Sequence, residues 1–437
     1  MTTAPLDDPA DAPSAGVDTE AEPQTRLAPG REDRSDTRSR PAAGLRPADR
    51  DLEGDSLLRT LAHPVEWWES GGRRFLPGAW FPVAVWAVWR VVHFTLDRML
   101  GTVGDSIFFY DGERYLAITQ QGYTYANFQM PNTAFFPGVS WLAWPILKVT
   151  RSEVWTGHIV ATATAIAAFV AVWGISKAWR NEHIARRAVL LMALMPSSLF
   201  LWAFYSEGLF IALGAGAVWA DRKNRHWIAA LLFAALSTTR SVGILVPAVI
   251  VLARIIRARR IDRWCFGYAG AAIAGLLPVL YMMRYYTGDA FAFLGVQDDW
   301  GRAMSWPWET VVQGFGNLWP EPETIMVPAL VSRNLDLWCL LIVAVGIGYL
   351  AFAKRDKWPM EAWMLGVALI ALPLCSSSLA SFNRFAFANW VLYPAYASLA
   401  ERLPRWWKRG FWLLVVVSFG VTTYHMVGRF AVDRFVG

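Results

Sequence analysis

Charge and cysteine are both scarce in this chain. Asp, Glu, Lys and Arg make up 17% of its 437 residues, and only three are cysteine. Cys265, Cys339 and Cys375 stand singly in apolar segments without paired spacing, which argues against a disulfide framework or a zinc site. His93, His158, His183, His226 and His425 show no metal-ligand spacing and read as structural or interfacial. No Walker loop, dinucleotide fingerprint or nucleophile elbow occurs where its structural context requires one, so ATP-driven transport and hydrolase chemistry lose support. The net charge of +6 is not a nucleic-acid signature. No apolar run precedes position 75, so no cleavable signal peptide is expected.

What the chain has in quantity is apolar and aromatic surface. Hydrophobic residues reach 55%, with 25 Trp and 25 Phe, and the mean hydropathy is +0.29. These values belong to a multi-spanning membrane protein. Residues 1–70 are different: rich in Asp, Glu, Arg, Pro, Ala and Ser, they hold too little large apolar surface to fold alone and read as a disordered cytoplasmic tail. Residues 71–437 read as one membrane domain. The basic clusters at 254–263 and 402–409 flank apolar runs, as cytoplasmic loops do.

Spans are expected at 75–100, 154–175, 264–285, 335–353, 362–379, 385–400 and 411–427, with polar outer loops at 101–133 and 286–328. Arg90 and His93 in the first span should face protein rather than lipid. Two stretches must each hold a hairpin, because each lies between basic loops on one side. About 33 residues separate Arg187 from Asp221 and about 27 separate Arg225 from Arg254, so each arm has about 13 to 16 residues and reaches roughly 20 to 24 Å. The hydrocarbon core is about 30 Å thick. The tips, Tyr205-Ser206-Glu207 and Thr239-Arg240-Ser241, should therefore sit below the outer surface in protein or a wet cavity. Segment 134–149 is apolar but carries Pro137 and Pro145. It is re-entrant or interfacial if loop 101–133 lies outside and the group Lys177, Arg180, Arg186 and Arg187 inside; if it spans, that assignment fails.

Asp111 is the first candidate for chemistry. It opens a helical pattern with Tyr115, Leu116 and Ile118, so it is either a helix N-cap or a functional carboxylate, acting as general base for a hydroxyl or as a ligand of a divalent cation. Glu113 is a weaker alternative, because neighbouring Arg114 can pair with it. Arg240 and Arg384 either bridge Glu207 or hold a lipid phosphate in a bidentate fork. Arg302 is a third cation of this kind. Trp300, Trp306, Trp308 and Trp319 are either interfacial anchors or part of a sugar-stacking surface, and Asp298-Asp299 is either solvated or metal-binding.

Five blocks in order resemble the PIG-V-like mannosyltransferases of the GT-C superfamily of membrane glycosyltransferases. The first is Tyr110-Asp111-Gly112-Glu113-Arg114-Tyr115 with Gly122-Tyr123 and Phe135-Phe136-Pro137. Next come Phe204-Tyr205-Ser206-Glu207-Gly208 and Thr238-Thr239-Arg240-Ser241-Val242-Gly243. The last two are Gln297 with Trp300-Gly301-Arg302, and Asn383-Arg384-Phe385 before Tyr393-Pro394. The resemblance implies an all-α polytopic GT-C-type bundle of about nine to eleven transmembrane helices with short broken or re-entrant helices. It implies inverting transfer of mannose from a polyprenyl-phosphate donor to a hydroxyl on the extracytoplasmic side. Asp111 would be the base; Tyr205, Glu207, Arg240 and Arg384 would line the donor pocket; Glu113, Gln297, Trp300 and Arg302 would lie near sugar or acceptor. The chain has Tyr110 where the family commonly has Trp, Arg114 where an aromatic or His is usual, and Val242 where Asn is usual. These positions bear on acceptor and sugar. The Ala, Arg and Trp usage suggests a high-GC bacterial plasma-membrane protein, so a glycolipid, polysaccharide or protein hydroxyl is expected as acceptor. The rival readings are a flippase for a lipid-linked saccharide and a non-catalytic scaffold of a glycan synthase.

Overall fold

A computed structural model of the chain describes residues 73–99, 106–123, 132–299, 302–316, 327–353 and 356–431. The proposed tail at 1–70 lies outside them, as do Trp300 and Trp319. Among the described residues all regular structure is helical. Five helices are long and apolar enough to cross a membrane, and residues 226–237, 336–352 and 360–374 form shorter apolar ones. The expected polytopic all-α class is the one observed.

The first two long helices set the polarity of the bundle. Helix α1 (Arg73–Met99) and helix α4 (Glu153–Trp179) have 27 residues each, or about 40 Å at 1.5 Å per residue. They run antiparallel: Gly78 lies against the Trp173 ring, and Arg90 Nη2 is 3.0 Å from His158 Nδ1. Met99 and Glu153 therefore share one end, called here the site end, and Gly78 and Lys177 share the other, the basal end. Between them, α2 (Asp111–Gln121) and α3 (Gly138–Thr150) leave and return to the site end. The 13 residues of α3 reach only about 20 Å. Segment 134–149 thus does not traverse the bundle, which resolves the parity of the chain in favour of a short helix at the site end. Arg90 and His93 are turned to protein as expected, with His93 Nδ1 on the Trp89 carbonyl at 3.1 Å.

Both hairpins are present, and three of their four arms are as short as the basic loops demand; the fourth, with its 3-10 lead from Ser241 to Ala258, is one of the five long enough to cross. They are α5 (Glu182–Leu194) with α6 (Glu207–Arg222), and α7 (His226–Ser237) with α8 (Leu245–Ala258). The Asn181 side chain caps α5, accepting from Ile184 N at 2.9 Å. Each tip is a turn with a 3-10 segment, at Pro196–Leu201 and Ser241–Ile244. Small residues allow the close packing that membrane helices rely on: Gly208 meets Thr164 and Gly174 meets Trp219, which lays α6 along α4. Asp262 starts α9 (Arg263–Thr287) by accepting from Trp264 N and Cys265 N.

The C-terminal part departs from the expected spans. Outer loop 286–328 carries α10 (Ala292–Asp299) and α11 (Pro307–Gly316). Helices α12 (Val327–Phe352) and α13 (Met360–Leu374) follow. The single span expected at 385–400 is broken into α14 (Phe382–Ala388) and α15 (Leu392–Arg402), with Asn389 between them donating to the Gly366 carbonyl at 2.9 Å. Apolarity continues across the break, so hydropathy hides it. The last helix, α16, is Arg405–Ala431.

The basal end is tied by ion pairs. Asp356 takes Arg180 at 2.9 Å and Arg402 at 2.7 Å. Asp221 and Asp262 share Arg254 at 2.9 and 2.6 Å. Buried Glu361 takes Arg222 and Arg257. Arginines that sequence places in cytoplasmic loops thus hold helix ends together.

Candidate active site

Four charged residues from four separate elements meet at the site end. Glu207, the first residue of α6, is fully buried. Its Oε1 accepts from Arg384 Nη2 at 2.7 Å, Arg384 Nε at 3.0 Å and Arg240 Nη1 at 2.8 Å. Arg384 Nη2 also lies 2.6 Å from Asp111 Oδ2. Two guanidinium groups and two carboxylates form one neutral cluster, the arrangement that makes buried charge tolerable. Aromatic faces complete the shell. The Arg384 guanidinium lies 4.8 Å from the Tyr205 ring and 5.0 Å from that of Phe200, and Arg240 lies 5.0 Å from Phe385.

The short hairpin tip positions Asp111. Phe204 N donates to the Ile107 carbonyl at 2.9 Å, Tyr205 Oη to the Phe109 carbonyl at 3.0 Å, and Tyr115 Oη to Ser206 Oγ at 2.8 Å. These bonds staple the start of α2 to the turn that leads into Glu207. Tyr110, not Asp111, is the N-cap, with φ 57 and ψ −112 and no side-chain capping bond. Positive φ is uncommon for an aromatic residue and persists only where surroundings impose it. The capping alternative for Asp111 is therefore corrected: its carboxylate points to Arg384 rather than to the helix amides. Both arginines bridge Glu207, one of the two roles expected of them. Arg240 is placed by α3, whose Gly138 N donates to the Thr238 carbonyl at 2.8 Å.

The other expected residues are spread around this centre. Arg302 donates to the Ala380 carbonyl at 3.1 Å. Burial lowers its pKa, and the nearby charge of Arg384 acts the same way, so Arg302 senses the cluster without joining it. Gln297 turns its amide to the Phe293 carbonyl at 3.2 Å. Glu113 is exposed on α2 and is not among the carboxylates that hold the two arginines. Trp306 and Trp308 stack at 4.8 Å and are exposed, while Asp298 and Asp299 end α10 in the open. Among the described residues no group of three or more His, Cys, Asp or Glu is placed to hold a metal.

Asp336 was not anticipated. It accepts from Asn383 N at 2.7 Å, fixing the entry to α14 just after Ser381, itself in the left-handed region at φ 64. It also lines a polar cavity of about 200 Å³ with Gln313, Ser378 and Ala380. A single carboxylate at the edge of an apolar run was the signal available in the sequence.

Fold and site together define a polytopic α-helical membrane protein with a buried ionic centre at one end. Residues 90–259 match the family model described as Mannosyltransferase (PIG-V). The human GPI alpha-1,6-mannosyltransferase 2 is 28% identical over 160 residues, which are 34% of this chain and 32% of that protein. The mouse protein is 29% identical over 146 residues, 31% of this chain and 29% of that one. The chain thus spans about a third of the length of the curated relatives it matches. Two solved structures are similar in fold. ArnT from Cupriavidus metallidurans, bound to undecaprenyl phosphate, gives a TM-score of 0.49 at 15% identity, covering 80% of this chain and 77% of that one. The oligosaccharyltransferase AglB from Archaeoglobus fulgidus gives 0.45 at 12% identity, covering 85% and 57%. The matched stretch contains Asp111, Tyr205, Glu207 and Arg240; Arg384 reaches them from outside it.

Proposed function

We propose that the protein is a membrane glycosyltransferase that moves mannose from a polyprenyl-phosphate donor to a hydroxyl acceptor at the site end. The observation that carries this reading is the cluster of Asp111, Glu207, Arg240 and Arg384, three of whose members lie within the PIG-V stretch. In the reaction the acceptor oxygen attacks the anomeric carbon while the bond from that carbon to the phosphate oxygen breaks, with inversion. The acceptor proton passes to Asp111, and the electron pair of the broken bond leaves with the polyprenyl phosphate. Arg240 and Arg384 stand beside Asp111 as the cations for that phosphate. Because Glu207 already orients them, they would stabilise the developing charge without reorganising. Arg302 adds positive potential from the rim. The site end would face away from the cytoplasm, since the basic loops mark the opposite end.

The test is transfer of label from polyprenyl-phospho-[14C]mannose to extracts of the native membrane by purified full-length protein. Transfer by the wild type and its loss in Asp111→Asn are expected. No transfer by the wild type, with lipid-linked sugar still crossing liposomes that contain it, would replace this reading with a flippase.

A further inference from the structure

The polar cavity of about 200 Å³ lies between α11, α12 and the turn that enters α14. Asp336, Gln313 and Ser378 give it hydrogen-bonding groups, and Leu337 and Leu379 give it apolar surface. Arg302 connects it to the ionic cluster. Its Nη2 donates to the carbonyl of Ala380, a lining residue, at 3.1 Å, and its guanidinium feels the charges of Asp336, Asp111, Arg240 and Arg384 alike. The walls are fixed. Ala303 N donates to Ser377 Oγ at 3.0 Å, Ser377 N to Ser305 Oγ at 2.8 Å and Ser305 N to the Cys375 carbonyl at 3.0 Å. The chain before α11 is thus stapled to the chain before α14. Gly314 packs on Leu379, where a methyl would collide with the leucine side chain.

The lining keeps hydrogen-bonding capacity. Asp336 accepts from Asn383 N at 2.7 Å, and the Ser381 amide and Asn383 side chain bond it too. A carboxylate offers about four acceptor positions, so this one is held in orientation with a position to spare. Ser378 Oγ accepts from Ala380 N at 3.1 Å and keeps its own hydrogen to donate. Gln313 is exposed and its amide makes no hydrogen bond among the described residues. A phosphate would meet Asp336 as a like charge, which is costly. A neutral polyol suits the lining better, its hydroxyls on the carboxylate, amide and Ser378 and its C–H face on the leucines. The volume is below the roughly 300 Å³ at which sites for drug-sized ligands begin, so it takes one ring rather than a chain. Resting on the transferase reading, we infer that this cavity is a saccharide subsite: Asp336, Gln313 and Ser378 bind the hydroxyls of one sugar ring, of donor or acceptor, and hold it beside the ionic cluster.

The experiment compares the full-length wild type with Gln313→Leu, which keeps the size but loses the amide, and with Asp336→Asn. Native mass spectrometry reads retention of polyprenyl-phospho-mannose against polyprenyl phosphate. Saturation-transfer NMR reads methyl α-mannopyranoside on protein already saturated with polyprenyl-phospho-mannose. If the cavity takes the donor sugar, the wild type prefers the mannosylated lipid. That preference should fall roughly three- to tenfold in Gln313→Leu, the worth of one neutral hydrogen bond, and about tenfold or more in Asp336→Asn. If it takes the acceptor sugar, the wild type gives a mannoside signal that both variants weaken, with the lipid preference unchanged. Gln313 makes no bond to the turn that enters α14, so Gln313→Leu decides the matter if Asp336→Asn fails to fold. Wild-type preference and mannoside signal in Gln313→Leu, or neither of them in a wild type that still transfers mannose, overturn the subsite and leave the transferase reading standing. A wild type that retains neither lipid overturns the transferase reading, and the subsite with it.

Discussion

Asp111→Asn and Glu207→Gln each remove a negative charge from the same guanidinium, yet they should fail in different ways. Asp111 sits at the rim with 13% of its side chain exposed and one ion-pair contact, at 2.6 Å to Arg384 Nη2. Asparagine keeps the shape and an acceptor oxygen, so the fold should lose only about 1 kcal/mol. As general base, however, the carboxylate is worth about 10² to 10⁴ in rate, or roughly 2.7 to 5.5 kcal/mol of barrier at 1.36 kcal/mol per decade. Glu207 is the reverse case. It is fully buried and binds Arg240 and Arg384 together, so its neutralisation leaves Arg240 without its carboxylate, Arg384 with Asp111 alone, and the cluster with one positive charge in excess. Breaking such a buried pair costs about 3 to 5 kcal/mol, a large part of the roughly 5 to 15 kcal/mol that holds a domain. The assay is paired: melting in detergent or nanodiscs, and initial rate of [14C]mannose transfer at a temperature where every variant is folded. Asp111→Asn should melt near the wild type and transfer at least about a hundredfold more slowly; Glu207→Gln should melt far lower. Wild-type transfer by Asp111→Asn refutes its role as base. A wild-type melt for Glu207→Gln refutes the claim that this carboxylate holds the cluster together.

Two further outcomes can be measured on the same protein. In Gly138→Ala the new methyl would stand 2.6 Å from Thr238 Oγ1 and 2.8 Å from its carbonyl oxygen. Overpacking of this kind costs about 1 to 3 kcal/mol, so a lower melting temperature and slower transfer through a displaced Arg240 are expected; a variant with the wild-type melt and rate would show that α3 does not set that tip. At the basal end, burial opposes ionisation of Asp356, but bonds from Arg402 and Tyr349 and the charge of Arg180 outweigh it and hold its carboxyl below the ordinary aspartate value. A depressed folded pKa gives stability that is present above the ordinary value of about 3.9 and lost as pH falls through the depressed one. The wild type should therefore lose melting temperature in acid below about pH 4 more steeply than Asp356→Asn, and parallel acid limbs would remove Asp356 from the account.

Much of the architecture was readable from the order of residues. Apolar runs gave the helices, and basic loops only about 27 and 33 residues apart required short-armed hairpins by the arithmetic of helical rise. That arithmetic expects Glu207 and Arg240 at the tips of short arms; the helices have 13, 16, 12 and 14 residues, and only the last, with its 3-10 lead, reaches the 18 residues of a candidate span. The motif order also singled out Asp111 and Arg384. Sequence could not say which of two roles each charge plays, because capping and pairing use the same side chains. Nor could hydropathy find the break between α14 and α15 or the direction of α3, since an apolar helix looks the same whether it crosses or returns.

The break and the direction of α3 are settled by distance. The antiparallel register of α1 on α4 puts Met99 and Glu153 at one end, which denies α3 a crossing. The bond from Asn383 N to the Asp336 carboxylate turns the chain so that Arg384 enters from outside residues 90–259 and bridges Asp111 to Glu207. Sequence supplied four charges too costly to leave alone in an apolar medium. Only the packing of four elements, far apart in the chain, determined that they neutralise one another at a single point.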